Sequence, residues 1–182
     1  ALTRVLNGAD ITNDNYTFTV ATGQLGGDGA KVITAQVTDI AGNAGVVSAT
    51  LNLTLDTGTP TATDAPTAVA GPDINVAEET AGFSVIVPLG TSGAVVGDTL
   101  ELLLGGSAFP SALIRVLDGT DISNASISFT VASGQLGGDG AKAITAQVTD
   151  VAGNIGAVST ALNLNLDTGS PTATDAPTAA DG

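Results

Sequence analysis

The chain has 182 residues, 43% of them hydrophobic, and its formal net charge at pH 7 is −14. Four cations face eighteen carboxylates, so the basic surface that nucleic-acid binding requires is missing. Cys and His are absent from the sequence, which argues against zinc, haem and iron–sulfur centres and against Cys- or His-based catalysis. No Ser or Thr has an evident base either, so we expect no enzyme.

The dominant feature of the sequence is a tandem repeat. Residues 1–71 align without a gap to residues 112–182, at an offset of 111 positions, and the two copies differ at 19 of 71 positions. This period exceeds the roughly 20–50 residues of solenoid repeats and matches one independently folding domain. We therefore predict a complete repeat at 58–168. We expect the C-terminal part of a truncated repeat at 1–57 and the start of a further one at 169–182.

Strands follow one another along the whole chain. In the first copy, alternating apolar residues predict strands at 16–20, 31–39 and 47–55. In the complete repeat the same pattern predicts seven strands: A near 61–68, B near 83–89, C near 99–104, D near 112–117, E at 126–131, F at 142–150 and G at 158–167. No stretch shows helical spacing with caps, so we predict no helix. Short strands separated by Gly-rich turns predict an all-β, seven-stranded Ig-like β-sandwich.

Two sequence motifs connect the chain to a known family. The motif VTDxAGN occurs at Val37–Asn43 and at Val148–Asn154, before a final strand that ends in LDT. A Pro/Thr-rich linker and the segment GPDINVAEE at Gly71–Glu79 follow the first copy. This pattern resembles the bacterial Ig-like extender repeats of giant type I-secreted (repeats-in-toxin) adhesins. The resemblance implies a calcium-stiffened array that projects an adhesive tip from the bacterial surface, for attachment or biofilm formation.

The order of the strands predicts a first cluster of acids. Successive strands of a sandwich alternate in direction, so the B–C, D–E and F–G loops share one end and gather Asp98, Asp118, Asp121, Asp150 and Asn154. So many carboxylates repel one another unless a cation neutralises them. We predict a Ca²⁺ site at the junction between repeats, with Asp56 and Asp150 as leading ligands and Asp28, Asp98 and Asp64 as further candidates. The alternative is that these residues are solvated turn aspartates that cap their own backbones.

A second acidic cluster is predicted at the opposite end. It contains Asp73, Glu78 and Glu79 from the A–B loop, Asp139 from the E–F loop, and Asp167. Three acids within seven residues suit one loop that folds around Ca²⁺. The alternative is an acidic loop that protects a sheet edge. The neighbouring segment GQLGGDG is predicted to be a tight turn whose glycines adopt positive φ.

The most direct interpretation is a structural spacer of a large repetitive bacterial surface adhesin, located outside the cell. Its partners would be neighbouring repeats and, laterally, identical chains; we expect no nucleic acid and no membrane insertion, because no apolar run approaches the roughly 18 residues a span needs. One alternative is a lateral-assembly subunit of an extracellular sheath, surface layer or biofilm matrix fibre. Another is a carbohydrate- or ice-binding module that uses Thr61, Thr63 and Thr67.

Overall fold

The computed structural model describes residues 1–174 of the chain. The chain divides after Thr57 into two compact units, and Gly58 begins the second one. Among the described residues, no helix is long and apolar enough to cross a membrane.

The first unit is a small two-stranded structure with little interior. It contains helix α1 (Gly8–Thr12) and strands β1 (Gly29–Ile33) and β2 (Leu51–Leu55). The strands pair antiparallel, with Gly29 opposite Leu55 and Ile33 opposite Leu51. No residue of this unit is buried, so its apolar side chains remain accessible to solvent.

The second unit is a sandwich of two sheets. Its elements are β3 (Thr67–Ala68), β4 (Asp73–Asn75), α2 (Val76–Ala81), β5 (Phe83–Pro88), β6 (Thr99–Leu104), β7 (Ser107–Val116), α3 (Gly119–Asn124), β8 (Ser126–Val131), β9 (Gly140–Thr149) and β10 (Leu162–Asp167). One sheet has the strand order β4-β10-β9-β6-β7 and the other has the order β3-β5-β8. All the pairings are antiparallel except that of β4 with β10, which is parallel.

The core lies between the two sheets and follows from residue alternation. Along β5, Phe83, Val85 and Val87 are buried while the residues between them are partly exposed. Because successive side chains of a strand point to opposite faces, this alternation turns one face of each sheet inwards. The fully buried side chains include Ile74, Leu100, Leu102, Leu117, Val131, Ile144, Val148 and Leu166. The predicted all-β sandwich is confirmed.

Several strands differ from the prediction. β7 begins at Ser107 rather than near 112, β10 begins at Leu162 rather than 158, and the strands expected at 31–39 and 47–55 are only Gly29–Ile33 and Leu51–Leu55. Strand A was expected near 61–68, but only Thr67–Ala68 pairs with β5. The chain instead adds β4 within the predicted A–B loop, so the unit has eight strands rather than seven. Ile74 explains this extra strand, because its side chain is only 1% exposed and joins the core. A single buried residue in a short, acidic segment carries too little alternation to predict a strand.

The prediction that the chain has no helix is wrong. Each short helix begins with a capping box, in which an Asn or Asp side chain and an acid three residues later bind each other's backbone amides. The pairs are Asn7 with Asp10, Asn75 with Glu78 and Asp118 with Asp121. The helices have five or six residues, too few to produce helical periodicity. In the sequence, the capping residues were the only signal that indicated these three helices.

The start of the Pro/Thr linker belongs to the second unit. The Thr61 amide donates a hydrogen bond to the Ser92 carbonyl (3.1 Å), and the Thr61 hydroxyl donates to the Thr91 carbonyl (2.6 Å). Thr63 is only 5% exposed, so the three threonines considered for ice or glycan binding do not form one exposed row.

Candidate functional site: the two loop poles of the second unit

Three loops meet at one end of the sandwich, which we call pole 1: residues 89–98, 117–125 and 150–161. The Leu117 amide donates to the Asp98 carbonyl (2.8 Å), and the Leu89 amide donates to the Ala125 carbonyl (2.9 Å). The alternation of strand direction predicted this meeting of the B–C, D–E and F–G loops. Asp98, Asp118 and Asp150 therefore share one end of the unit.

Asp98 joins two of these loops from a buried position. Asp98 is only 2% exposed, and its Oδ2 accepts a hydrogen bond from the Val95 amide (2.8 Å). Its Oδ1 accepts from the Val151 amide in the next loop (3.2 Å). Each carboxylate oxygen thus satisfies a backbone donor. The residue acts as a structural cross-link of pole 1.

Asp150 organises the turn of the TDxAGN motif. Its Oδ1 accepts from the Asn154 amide and its Oδ2 from the Asn154 side-chain amide, both at 2.8 Å. The side-chain bond from Asn154 is the main cause that lowers the pKa of the Asp150 carboxyl, and backbone amides of the turn add to it. In the first unit Asp39 and Asn43 repeat the arrangement, and the pKa of Asp39 is lowered for the same reason.

The acids of the D–E loop bind the positively charged side chain of Arg115. The Arg115 guanidinium donates to both oxygens of Asp121 (2.8 and 3.0 Å) and to Asp118 (3.0 Å). The hydrogen bond from Arg115 is the largest cause that lowers the pKa of Asp121, and the same pair raises the pKa of Arg115. Sequence reasoning left Arg115 out and assigned the neutralising charge to a metal. The signal was present, because Arg115 precedes both acids by three and six residues.

The opposite end of the sandwich, pole 2, contains residues 69–82, 132–139 and 167–169. Here Glu78 caps α2, with its Oε2 accepting from the Asn75 amide (3.0 Å). Glu79 accepts from the Ser133 hydroxyl (3.3 Å) and from the Gly134 amide. Gly134 has φ of 79°, in agreement with the tight turn predicted for GQLGGDG. The two glutamates therefore hold separate backbone segments rather than face each other.

Asp139 fastens the chain that leaves strand β10. Its Oδ1 accepts from the Thr168 amide (3.1 Å) and the Thr168 hydroxyl (2.8 Å). Asp28 makes the same pair of bonds to Thr57 in the first unit (3.0 and 2.9 Å). Asp167 ends β10 and accepts from the Gly169 amide (3.0 Å).

The remaining predicted ligands lie at three different places: Asp73 in pole 2, Asp64 beside pole 1, and Asp56 in the first unit. Asp73 is exposed in the edge strand β4, and Asp56 follows β2 in the first unit. The exposed Asp64 lies beside Gly90, where an added Cβ would be 2.7 Å from the Asp64 carboxyl carbon. Among residues 1–174, no three acidic side chains form a group that could hold a metal ion. Ca²⁺ takes six to eight oxygen ligands, and residues 1–174 contain no site built from acidic side chains alone.

Comparison with known proteins gives similar structures only. No protein-family model and no curated protein sequence matches the chain. Similar solved structures include a Ca²⁺-stabilized adhesin that helps an Antarctic bacterium reach out and bind ice. The two sequences are 24% identical, the match covers 85% of this chain and 36% of that chain, and the TM-score is 0.49. A 1.5-MDa bacterial ice-binding adhesin is 21% identical over 78% of this chain and 43% of that chain, with a TM-score of 0.44.

A third similar structure is a bacterial immunoglobulin-like domain from the M. primoryensis ice-binding adhesin. It is 21% identical over 60% of this chain and 100% of that domain, with a TM-score of 0.42. These structures are of the kind that the sequence motifs resemble. The chain spans well under half the length of the first two. Because every TM-score lies below 0.5, the likeness carries no argument about the function of this chain.

Proposed function

We propose that the chain is a structural spacer, a run of Ig-like sandwich repeats in a large bacterial surface adhesin outside the cell. One observation carries the proposal: the chain contains the same half-domain sequence twice, with several of the same internal hydrogen bonds. The Asp28–Thr57 and Asp139–Thr168 bonds and the two TDxAGN turns are examples. Duplication of a whole domain extends a chain and does not by itself build a binding pocket.

The acidic side chains support a mechanical role. In the second unit Asp98, Asp150 and Asp139 accept hydrogen bonds from backbone amides of the same unit. These hydrogen bonds stabilise the loops, while the exposed carboxylates of the chain keep its surface acidic, which favours solubility over self-association. The linker supports the same role, because Thr61 and Thr63 already belong to the second sandwich. Little chain then remains to act as a flexible joint.

We further propose that Ca²⁺ binds where two repeats meet and stiffens that junction. The support is the count of eighteen acids against four cations, the position of Asp56 and Asp64 within a few residues of the boundary, and the hydrogen bonds from Thr57, the last residue of the first unit, to Asp28. Residues 1–174 contain no group of three acidic side chains that could hold a metal ion, so the proposed site would also use backbone carbonyl, amide or water oxygens, which Ca²⁺ accepts as ligands. Ca²⁺ that binds only the folded chain stabilises it, by about 2.7 kcal/mol at a free concentration about 100-fold above Kd.

Thermal unfolding of the full chain in Ca²⁺ and in chelator tests the junction site. We expect a higher Tm in Ca²⁺, and loss of that increase in the double variant Asp28→Asn, Asp56→Asn. Asp14→Asn is the control, because Asp14 is an exposed acid of the first unit that lies outside both predicted acidic clusters. This control should keep the calcium response. Identical melting curves with and without Ca²⁺ in the unchanged chain would remove calcium from the proposal.

Lateral assembly is the second candidate function, and one observation favours it: apolar side chains of the first unit are exposed. Sedimentation velocity of the full chain over a wide concentration range separates the two. A spacer is expected to remain monomeric, whereas a sheath, surface-layer or matrix subunit should form larger species as the concentration increases. Growth of such species would favour lateral assembly over the spacer.

A further inference from the structure

Residues 60–66 enter the second unit at pole 1, and we call this segment the strap. The amide and the hydroxyl of Thr61 donate to the backbone carbonyls of residues 92 and 91. Further along the strap, Thr63 is 5% exposed and Pro66 is fully buried. The Pro, Thr and Ala content of this segment is typical of a linker, yet its burial is that of a packed part of the sandwich.

A glycine in the 150–161 loop makes room for the first residue of the strap. A Cβ added to Gly156 would lie 2.6 Å from the carbonyl oxygen of Pro60 and 3.0 Å from its Cβ, closer than real Cβ atoms approach other atoms. The φ of Gly156 lies outside the left-handed region, so the backbone there does not require glycine. Glycine is needed because Pro60 occupies the space that a side chain at 156 would take.

A second glycine makes room for the middle of the strap. A Cβ added to Gly90 would lie 2.7 Å from the carboxyl carbon of Asp64 and no more than 2.8 Å from either carboxylate oxygen. Two separate loops of pole 1 thus each lack a side chain at the point where the strap lies against them. We call these loop segments, residues 89–92 and 150–156, the track.

The repeat separates the contact with the strap from the turn that contains Gly156. Gly45 is the equivalent glycine of the first unit, and both glycine amides donate at 2.8 Å to equivalent carbonyls, those of Val37 and Val148. Among the described residues, the one atom that a Cβ on Gly45 would meet is the Val37 carbonyl oxygen, at 3.2 Å. The turn is therefore the same in both units, and the contact with Pro60 is the difference.

We propose that the strap and the track form a lock that fixes where the chain enters the second repeat, and that Gly156 is the residue that permits it. The lock consists of hydrogen bonds and packing contacts of the protein itself, so it holds with or without Ca²⁺. Its use rests on the proposed spacer function: anchoring a linker to the following repeat shortens the segment that can bend. Its structure rests on the second unit alone.

Hydrogen exchange of the Thr61 amide tests the lock, because this amide donates to the Ser92 carbonyl and reports the state of the strap. Measured by NMR in the full chain, the Thr61 amide should exchange about tenfold faster in Gly156→Ala than in the unchanged chain. Amides of the β5–β8 pair should keep their exchange rates, which shows that the sandwich remains folded. The same result is expected in Ca²⁺ and in chelator.

Two further variants make the result specific. Gly45→Ala is the matched control, because it makes the same change in the equivalent turn, where no strap lies, and it should leave the exchange of the Thr61 amide unchanged. Thr61→Val removes the hydroxyl that donates to the Thr91 carbonyl and adds no side chain to the track. It should also accelerate exchange of the amide at position 61 while the β5–β8 amides keep their rates.

Three outcomes would overturn the lock. Unchanged exchange of the Thr61 amide in Gly156→Ala would mean that the strap is not held at Gly156. Equal acceleration in Gly45→Ala would mean that the effect does not depend on the strap. Acceleration of the β5–β8 amides together with position 61, in both Gly156→Ala and Thr61→Val, would mean that the strap opens only when the whole unit unfolds.

Failure of the lock and failure of the spacer function are distinguishable. The spacer function is tested by the length of chains that carry additional repeats, whereas the lock is tested by amide exchange within one repeat. A chain whose length increases regularly while Gly156→Ala leaves the Thr61 amide unchanged would refute the lock and keep the spacer. Acceleration limited to the Thr61 amide in a chain that does not lengthen regularly would refute the spacer and keep the lock as a structural feature.

Discussion

At the scale of single residues, carboxylates of this chain act mainly as acceptors for backbone amides. Asp98, Asp139 and Asp150 each bind donors of their own unit. The sequence predicted which acids meet at pole 1, because strand direction alone determines which loops share an end. It did not predict their partners. Loop acids that bind a metal and loop acids that bind amides have the same composition and the same turn residues around them.

Asp98 provides the first prediction. Asp98→Ala should lower the free energy of unfolding of the second unit by about 1.5–3 kcal/mol for each hydrogen bond that the buried carboxylate no longer accepts. The affected amides are those of Val95 and Val151. Thermal or urea unfolding measures the change. Asp73→Ala is the control, since Asp73 is exposed on an edge strand and should change stability by no more than about 0.5 kcal/mol. Equal effects of the two substitutions would contradict the role of Asp98.

The Asp150–Asn154 turn predicts a dependence of stability on pH. The pKa of the folded Asp150 carboxyl lies below its ordinary value of 3.8. Its contribution is therefore fully present above pH 3.8 and is lost as the pH falls through the lower, folded value. Asn154→Ala removes the main cause of the depressed pKa. Stability measured from neutral to acidic pH should fall less steeply in this variant, whereas an unchanged acid limb would show that the turn does not contribute.

At the scale of elements, the alternation of apolar and polar residues was sufficient to predict a strand wherever that strand is long and buried on one face. β5, β6 and β8 lie where the apolar pattern predicted them. The pattern failed at β4 and at the three helices, where only a few residues form each element. It also predicted a strand at 16–20 that the first unit does not form. An isolated strand has no partner for its backbone groups, so its propensity cannot be realised without β5.

The repeat provides a matched pair of substitutions in the equivalent strands. Phe129→Ala should lower the free energy of unfolding by about 3–5 kcal/mol, because it empties a packed position of the sandwich core. Phe18→Ala makes the same chemical change at the equivalent position of the first unit, where the ring is 45% exposed, and should have little effect. Calorimetry of the two variants gives the comparison. Similar losses would mean that the first unit has a cooperative core of its own.

At the scale of the whole molecule, repetition at 111 residues is the basis of the spacer proposal. The sequence predicted the sandwich class because that class depends on long stretches of alternation. The role of calcium depends on how ligands from neighbouring repeats come together. That arrangement is a property of the junction, and the residue types within one repeat do not determine it.

The most direct test of the spacer function is the length of the molecule as repeats are added. Small-angle scattering would compare chains lengthened by one, two and three whole repeats of 111 residues. We predict that the maximum dimension increases in equal steps of about 35 Å per repeat, the length of a ten-residue strand, and that chelation of Ca²⁺ reduces this increment. A maximum dimension that stops increasing with repeat number would show that the repeats collapse on one another and would contradict the spacer function.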